Sequence, residues 1–311
     1  FEDVDFPEPE TLFDDYTTRG PQMKTQELTI DRHMGYAFDF KVRELKNEPT
    51  LQYIRDSWLM AMAEMDSEQR ATWEAIYDKK NEEFLKNPSV GKDLLRWKYQ
   101  RYVKEYCRTI RSVDEQVGRL LDYLEEKGVL DNTVIVYTSD QGFLLGEHGL
   151  YDKRFMYEES FRTPLIISCP SLVKKHSVCK ELVQNIDLAP TFLSLAGVEV
   201  PKEMSGRSLL PLFKNGKAEN WRNELYYHFY DYPAVGSVRK HDGIRTKRYK
   251  LIHWHGEGSG NDEAIDFWEL YDLKKDVMEV NNVYDNPKYV KVREALTVQL
   301  EKLRKDVGVT E

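Results

Sequence analysis

The run "TSDQGFLLGEHGLYDKR", Thr138 to Arg154, places Asp140, Gln141, Glu147, His148, Asp152, Lys153 and Arg154 close together, with Gly142, Gly146 and Gly149 between them. It directly follows the β-branched apolar run "TVIVY". An acidic side chain where a buried strand ends, followed by an amide oxygen, suits a hard divalent cation, which takes carboxylate and amide oxygens. Asp140 offers the carboxylate, Gln141 the amide, and Gly142 lets the backbone turn away at once. Two donors cannot fill a coordination sphere of roughly six to eight, so further ligands must come from elsewhere. Lys153 follows beyond the glycine-punctuated loop. A lysine near a divalent ion makes sense when both contact one anionic group, because each offsets charge that builds in the transition state. Composition alone equally allows plain roles: Lys153 and Arg154 as solvated surface residues, Asp140 as a helix N-cap, His148 as a histidine held by backbone hydrogen bonds.

The elements that must position this loop are legible on either side. In "YQRYVKEYCRTIRSVDEQVGRLLDYLEEKG" apolar residues recur at Tyr99, Val103, Tyr106, Ile110, Val113, Val117, Leu120, Leu121 and Leu124, the spacing of one helix face, and Gly128 follows as a cap. "TVIVYTSD" and "TPLIISC" read as strands buried on both faces, as in a parallel sheet. "DLAPTFLSLAG" predicts a short helix with an Asp N-cap and a Gly stop. Strand, helix and strand in alternation give an α/β core. Residues 1–50 carry prolines and little periodicity, and 51–98 read as short helices rich in charge and tryptophan. From about Trp221 the texture becomes aromatic and alternating ("ELYYHFY", "GIRTKRYKLIHWH", "DFWELYDL"), as in antiparallel strands, and "PKYVKVREALTVQLEKLRKDV" closes the chain as an amphipathic helix. Three segments result: 1–98 irregular and helical, 99–215 α/β core, 216–311 a smaller α+β subdomain.

At 311 residues, 41% hydrophobic and 32% charged, the chain is long enough for a large core. A formal net charge of −9 argues against nucleic acid as a partner. No apolar run reaches the ~18 residues of a membrane span. Cys107, Cys169 and Cys179 show no C-x-x-C spacing, and the first two read as buried structural thiols.

"DNTVIVYTSDQGFLLGEHGLYDKRFMYEESFRTPLIIS" resembles the sulfatases of the alkaline-phosphatase superfamily. "SVDEQVGRLLDYLEEKGVLDNT" before it and "LVQNIDLAPTFLSLAGVEVPKEMSGRSLLPLF" after it are similar to the segments that flank the loop in that family. "YYHFYDYPAVGSVRKHDGIRTKRYKLI" and "WELYDLKKDVMEVNNV" resemble the C-terminal subdomain of bacterial members similar to N-acetylglucosamine-6-sulfatases. The resemblance implies an alkaline-phosphatase-like, parallel-rich α/β sheet flanked by helices, incomplete in this chain, with a smaller antiparallel α+β subdomain. It implies that Asp140 and Gln141 are metal ligands, Ca²⁺ before Mg²⁺, and that Lys153 binds sulfate oxygens. It further implies substrate-facing positions for His148, His228 and His241, a sulfated saccharide as substrate, and a periplasmic or secreted location.

The family's nucleophile is a formylglycine made from Cys or Ser in a C/S-x-P-x-R motif, and this sequence has none: "CRTIR" at Cys107 has Thr for Pro, and "CPSLV" at Cys169 lacks the Arg. Nor does an Asp-Asp pair follow a buried N-terminal strand, since Asp14-Asp15 lies in a proline-rich stretch. The expectation is therefore a C-terminal portion of a sulfatase, inert alone, whose formylglycine and remaining ligands lie upstream. Two other readings stay open: a phosphonate monoester hydrolase or phosphodiesterase of the same superfamily, and a non-catalytic protein that binds sulfated glycans.

Overall fold

A computed structural model describes residues 1–42, 52–233, 235–260 and 262–309. Residues 43–50 of the expected irregular segment lie outside them. In chain order the helices are α1 (Gln22–Thr25), α2 (Gln52–Glu64), α3 (Ser67–Lys86), α4 (Gly91–Glu126), α5 (Glu158–Phe161), α6 (Leu188–Leu195), α7 (Leu210–Phe213) and α8 (Val290–Asp306). The strands are β1 (Ile135–Thr138), β2 (Leu144–Leu145), β3 (Tyr151–Asp152), β4 (Leu165–Ser168), β5 (Glu224–Phe229), β6 (His241–Thr246), β7 (Tyr249–Gly256) and β8 (Ile265–Asp272). The chain divides into two compact units. One comprises 1–15, 26–118 and 144–152, the other 16–25, 119–143 and 153–311.

In the first unit, α3 opens on a capping box: Gln69 N donates to Asp66 Oδ1 at 2.8 Å, and Asp66 N donates to Gln69 Oε1 at 3.1 Å. Phe84 stacks on Trp97 with centroids 4.0 Å apart, and Leu12 packs with Tyr99 and Val103 on α4. The β2–β3 hairpin is held in place by Tyr102, whose hydroxyl donates to Leu144 O, and by an isolated bridge between Thr29 and Leu150.

In the second unit, β5 to β8 form an antiparallel meander in sequence order. One face of it packs on α8 through Ile244, Leu251, Leu270, Leu296 and Leu300. The period-2 alternation of the sequence appears here as alternating faces. On α6 the glycine stop holds, with Gly197 at φ +71, but Asp187 does not cap the helix with its side chain. Asp187 is fully buried and instead accepts from Gln184 N, Arg207 N and the Arg222 guanidinium.

Four expectations need correction. The strands β1 and β4 run antiparallel, with Ile135 opposite Ser168 and Thr138 opposite Leu165, and every strand pair among the described residues is antiparallel. They are not buried on both faces either: Tyr137 is 38% and Ile166 63% exposed. A β-branched apolar run reports a tendency to be covered, not strand direction, and no third strand joins this pair among the described residues. The helical stripe of α4 is likewise covered only in part. Tyr99 and Val103 are buried, whereas Ile110, Val113 and Leu120 are exposed. Cys169 is buried as expected, but Cys107 is half-buried.

Candidate active site

Asp140 lies two residues past the end of β1 and is exposed. Its Oδ1 accepts from Ser139 Oγ at 3.2 Å and from Gln141 N at 3.1 Å, which orients the carboxylate at the strand end. The side-chain amide of Asn185 reaches the backbone oxygen of Asp140 at 3.5 Å. Gln141 is half-buried. Gly142 is where only glycine fits, since a Cβ there would stand 2.0 Å from Glu159 O and 2.7 Å from Arg162 O. Its N–H donates to Ser160 O, which fastens the turn to α5.

Lys153 is half-buried, and its Nζ lies 5.8 Å from the centroid of Phe143, three residues after Asp140. Phe143 and Lys153 directly flank the β2–β3 pairing, which sets Leu144 opposite Asp152, and the cation–π contact joins them at its base. Arg154 takes φ +91, and Tyr227 Oη donates to its carbonyl at 3.0 Å. Phe155, Met156 and Tyr157 follow with almost no exposed surface. Lys250 Nζ donates to Met156 O at 2.6 Å and pairs with Glu158 at 2.9 Å and Glu279 at 2.8 Å. Burial would raise the Glu158 carboxyl, but Lys250 and Arg245 outweigh it and bring it down to about 2. Burial pushes the Glu279 carboxyl up to about 7, with Lys250 opposing.

The three histidines differ. His148 is fully buried at φ +56; its N–H donates to Thr11 Oγ1, and its Nδ1 lies 2.9 Å from Asp14 Oδ2. His241 is also fully buried, stacked on Trp254 at 4.1 Å, with Nδ1 2.9 Å from Arg239 O. Burial depresses its pKa to about 3, so it stays neutral. His228 is only half-buried, lies on β5 beside Tyr226 and Tyr230, and keeps a face toward solvent.

Asp140 and Gln141 fit a hard cation in kind, as carboxylate and amide oxygens at an open strand end, and fall short of it in number. The supports of the site escaped the sequence reading. Asn185, Tyr227, Lys250 and Glu279 are distant in sequence from the loop, and only the fold shows that they, with the nearby Glu158, hold it. The one available signal was Lys250, a charge at an inward position of an alternating strand.

The sulfatase family model matches residues 12–198, and the model for the C-terminal part of N-sulphoglucosamine sulphohydrolase matches 146–306. The chain belongs to the sulfatase family. This sulfatase chain is 45% identical over 307 residues to an N-acetylglucosamine-6-O-sulfatase of Bacteroides thetaiotaomicron, covering 98% of the chain and 53% of that protein. It is 35% identical over 196 residues to the multifunctional alkaline phosphatase superfamily protein PehA of Trinickia caryophylli, covering 59% of the chain and 36% of that protein. Among solved structures, that of BT4656 with its substrate D-glucosamine-2-N,6-O-disulfate superposes with a TM-score of 0.90 at 43% identity, covering 100% of this chain and 62% of the other. The sulfatase chain therefore spans about half the length of the curated relatives it matches. The α/β class and the alkaline-phosphatase-like fold of its neighbours agree. Sulfatases generally use a metal ion and a formylglycine. Among the described residues no helix is long and apolar enough to cross a membrane.

Proposed function

We propose that this chain is the C-terminal portion of a metal-dependent sulfatase that hydrolyses a sulfate ester of a sulfated amino sugar. One observation carries the reading. Lys153 Nζ lies 5.8 Å from the ring of Phe143, two residues past Gln141, so the two ends of one hairpin carry oxygen donors for a cation and a lysine for an anion. The likeness to an N-acetylglucosamine-6-O-sulfatase along nearly the whole chain supports the substrate class.

Asp140 and Gln141 would hold a divalent ion, Ca²⁺ by donor type, which supplies positive charge at the sulfate oxygens when bound. Lys153 binds a sulfate oxygen and offsets the charge that develops on it as the S–O bond to the sugar breaks. The Lys250 cluster fixes the backbone on which Lys153 is mounted. His148 and His241, fully buried, act by holding neighbouring segments, whereas His228 stands opposite Asp242 on the face of the sheet away from Tyr227 and the loop. The nucleophile is a formylglycine outside this chain. The compartment is extracytoplasmic, where sulfated polysaccharides are met.

Sulfate release from N-acetylglucosamine-6-sulfate with added Ca²⁺ tests the reading. The 311-residue chain alone should release none. In a full-length protein containing it, Lys153→Ala should lower kcat/KM by about 10²–10³, the usual effect of removing one group that stabilises developing charge. Release by the chain alone that Lys153→Ala abolishes would place the nucleophile within it. A full-length protein that cleaves a phosphonate monoester in preference would assign it to that branch of the superfamily. One that binds the sulfated sugar without turnover would be a glycan-binding protein.

A further inference from the structure

The α8-facing side of the four-stranded sheet carries a second cluster of polar side chains, which takes no part in the chemistry proposed above. His253 stands directly opposite Asp242 across the β6–β7 pairing. Side chains two apart on a strand share a face, so His255 follows on the same side. The ligating atoms of these three residues all lie within 4.8 Å of one another. Asp242 Oδ1 is 3.9 Å from His253 Nδ1 and 3.8 Å from His255 Nε2. Around a tetrahedral ion with bonds of ~2.0–2.1 Å, neighbouring ligand atoms are about 3.4 Å apart. Closing this triad on an ion therefore requires the two Asp242–His separations to shorten by about half an ångström, with the two imidazole nitrogens, no more than 4.8 Å apart, drawing together by side-chain torsion.

On the other side of Asp242, the β5–β6 register sets His228 opposite the same carboxylate. Its ring centroid lies 6.3 Å from that of His255, and its Nε2 is buried with no hydrogen-bond partner among the described residues. The proton on His253 is also assigned by its neighbours. Arg304 has only donors, so its Nη2, 3.1 Å from His253 Nδ1, makes that nitrogen an acceptor. The ring proton is then on Nε2, which donates to Asp266 Oδ1 at 2.8 Å. A carboxylate on the far nitrogen is the arrangement that orients a metal-binding imidazole.

The same Nη2 of Arg304 lies 2.6 Å from Asp242 Oδ1. It thus occupies the point where the lone pairs of Asp242 and His253 converge: the cage already holds a cation, and α8 supplies it. We propose that Asp242, His253 and His255, with His228 as a fourth ligand, form a binding site for a borderline transition-metal dication of the Zn²⁺ class, in competition with Arg304. Imidazoles and one carboxylate suit Zn²⁺ or Cu²⁺ and not Ca²⁺ or Mg²⁺, which take oxygen donors. Metal entry sends the guanidinium toward Glu301, with which its Nη1 already pairs at 2.5 Å. The site is separate from Asp140 and does not depend on the sulfatase reading.

Calorimetric titration of the full chain with Zn²⁺ alone tests it, with far-UV circular dichroism confirming that each variant is folded. One Zn²⁺ per chain is expected, with Ca²⁺ unable to compete and Asp140→Asn without effect. His253→Ala and His255→Ala should each weaken binding by at least ~10-fold, the lower end of what even an outer-shell partner contributes. Arg304→Gln should tighten it by about as much, and Arg304→Lys, which keeps the charge but loses the fork, should fall between. Bound Co²⁺ should show the intense visible absorption of a tetrahedral site. The proposal is overturned if no Zn²⁺ binds, if Asp140→Asn abolishes binding, or if a folded Arg304→Gln chain binds no tighter than the parent.

Discussion

At Glu279 a carboxyl is fully buried 2.8 Å from the ammonium of Lys250, and Glu158 shares the same lysine. Burial raises the Glu279 pKa from its ordinary value of 4.5 to about 7. Between those pH values the folded chain keeps a proton that the unfolded chain has released, so this group's contribution falls as pH rises from 4.5 to 7 and stays unfavourable above. His241 acts in the opposite direction: its depressed pKa of about 3 means the unfolded chain alone gains a proton as pH falls through 6.5. Glu279→Gln keeps the shape and cannot ionise. The loss of stability from pH 5 to pH 7.5, read as the shift in urea midpoint, should be smaller in the variant than in the parent. The His241 effect is common to both and cancels. Parallel profiles would show that Glu279 does not titrate in this window.

Among the elements, the β5–β8 meander and α8 were the most legible, because each repeats its apolar residues at its own period, 2 or 3.6, over a long run. What the pattern cannot give is which leucine seals the contact. Leu300 does so: it is fully buried among Ile244, Leu251 and Leu270. Leu300→Ala should destabilise the second unit by about 2–5 kcal/mol, the usual range for a leucine cut back to alanine in a core. Thermal unfolding followed by near-UV dichroism of the aromatic-rich sheet would register it. An unchanged midpoint would mean that α8 is not integral to the second unit. The β1–β4 pair shows the converse: the strands were found, but their direction was not, because direction depends on a chain path that local sequence does not encode.

For the whole molecule, apolar surface decides behaviour. Ile166, Leu120, Tyr137 and Tyr123 are exposed in the second unit, and β1 and β4 have no further strand partners among the described residues. Unpaired strand edges beside apolar side chains template association. The chain by itself should self-associate at micromolar concentration, as seen by light scattering, and bind a hydrophobic dye. Ile166→Lys should reduce both signals. A monodisperse parent with a cooperative melt and no dye binding would contradict this and weaken the reading of the chain as part of a larger fold.

The sequence by itself determined the order and type of the main elements and the loop at the end of β1, since periodicity, turn residues and charge spacing are local properties. Asp140, Gln141 and Lys153 could be proposed together for the same reason: they lie within one short loop. Only the tertiary structure decided that β1 and β4 are antiparallel, that Asp187 clamps Arg222 instead of capping a helix, and that Lys250 and Glu279 hold the backbone after Lys153. It alone brought His253 and His255 against Asp242 and Arg304, 62 residues apart in the last pair. Those facts depend on pairings between distant segments, whose energy lies in burial and register and not in any one stretch of chain.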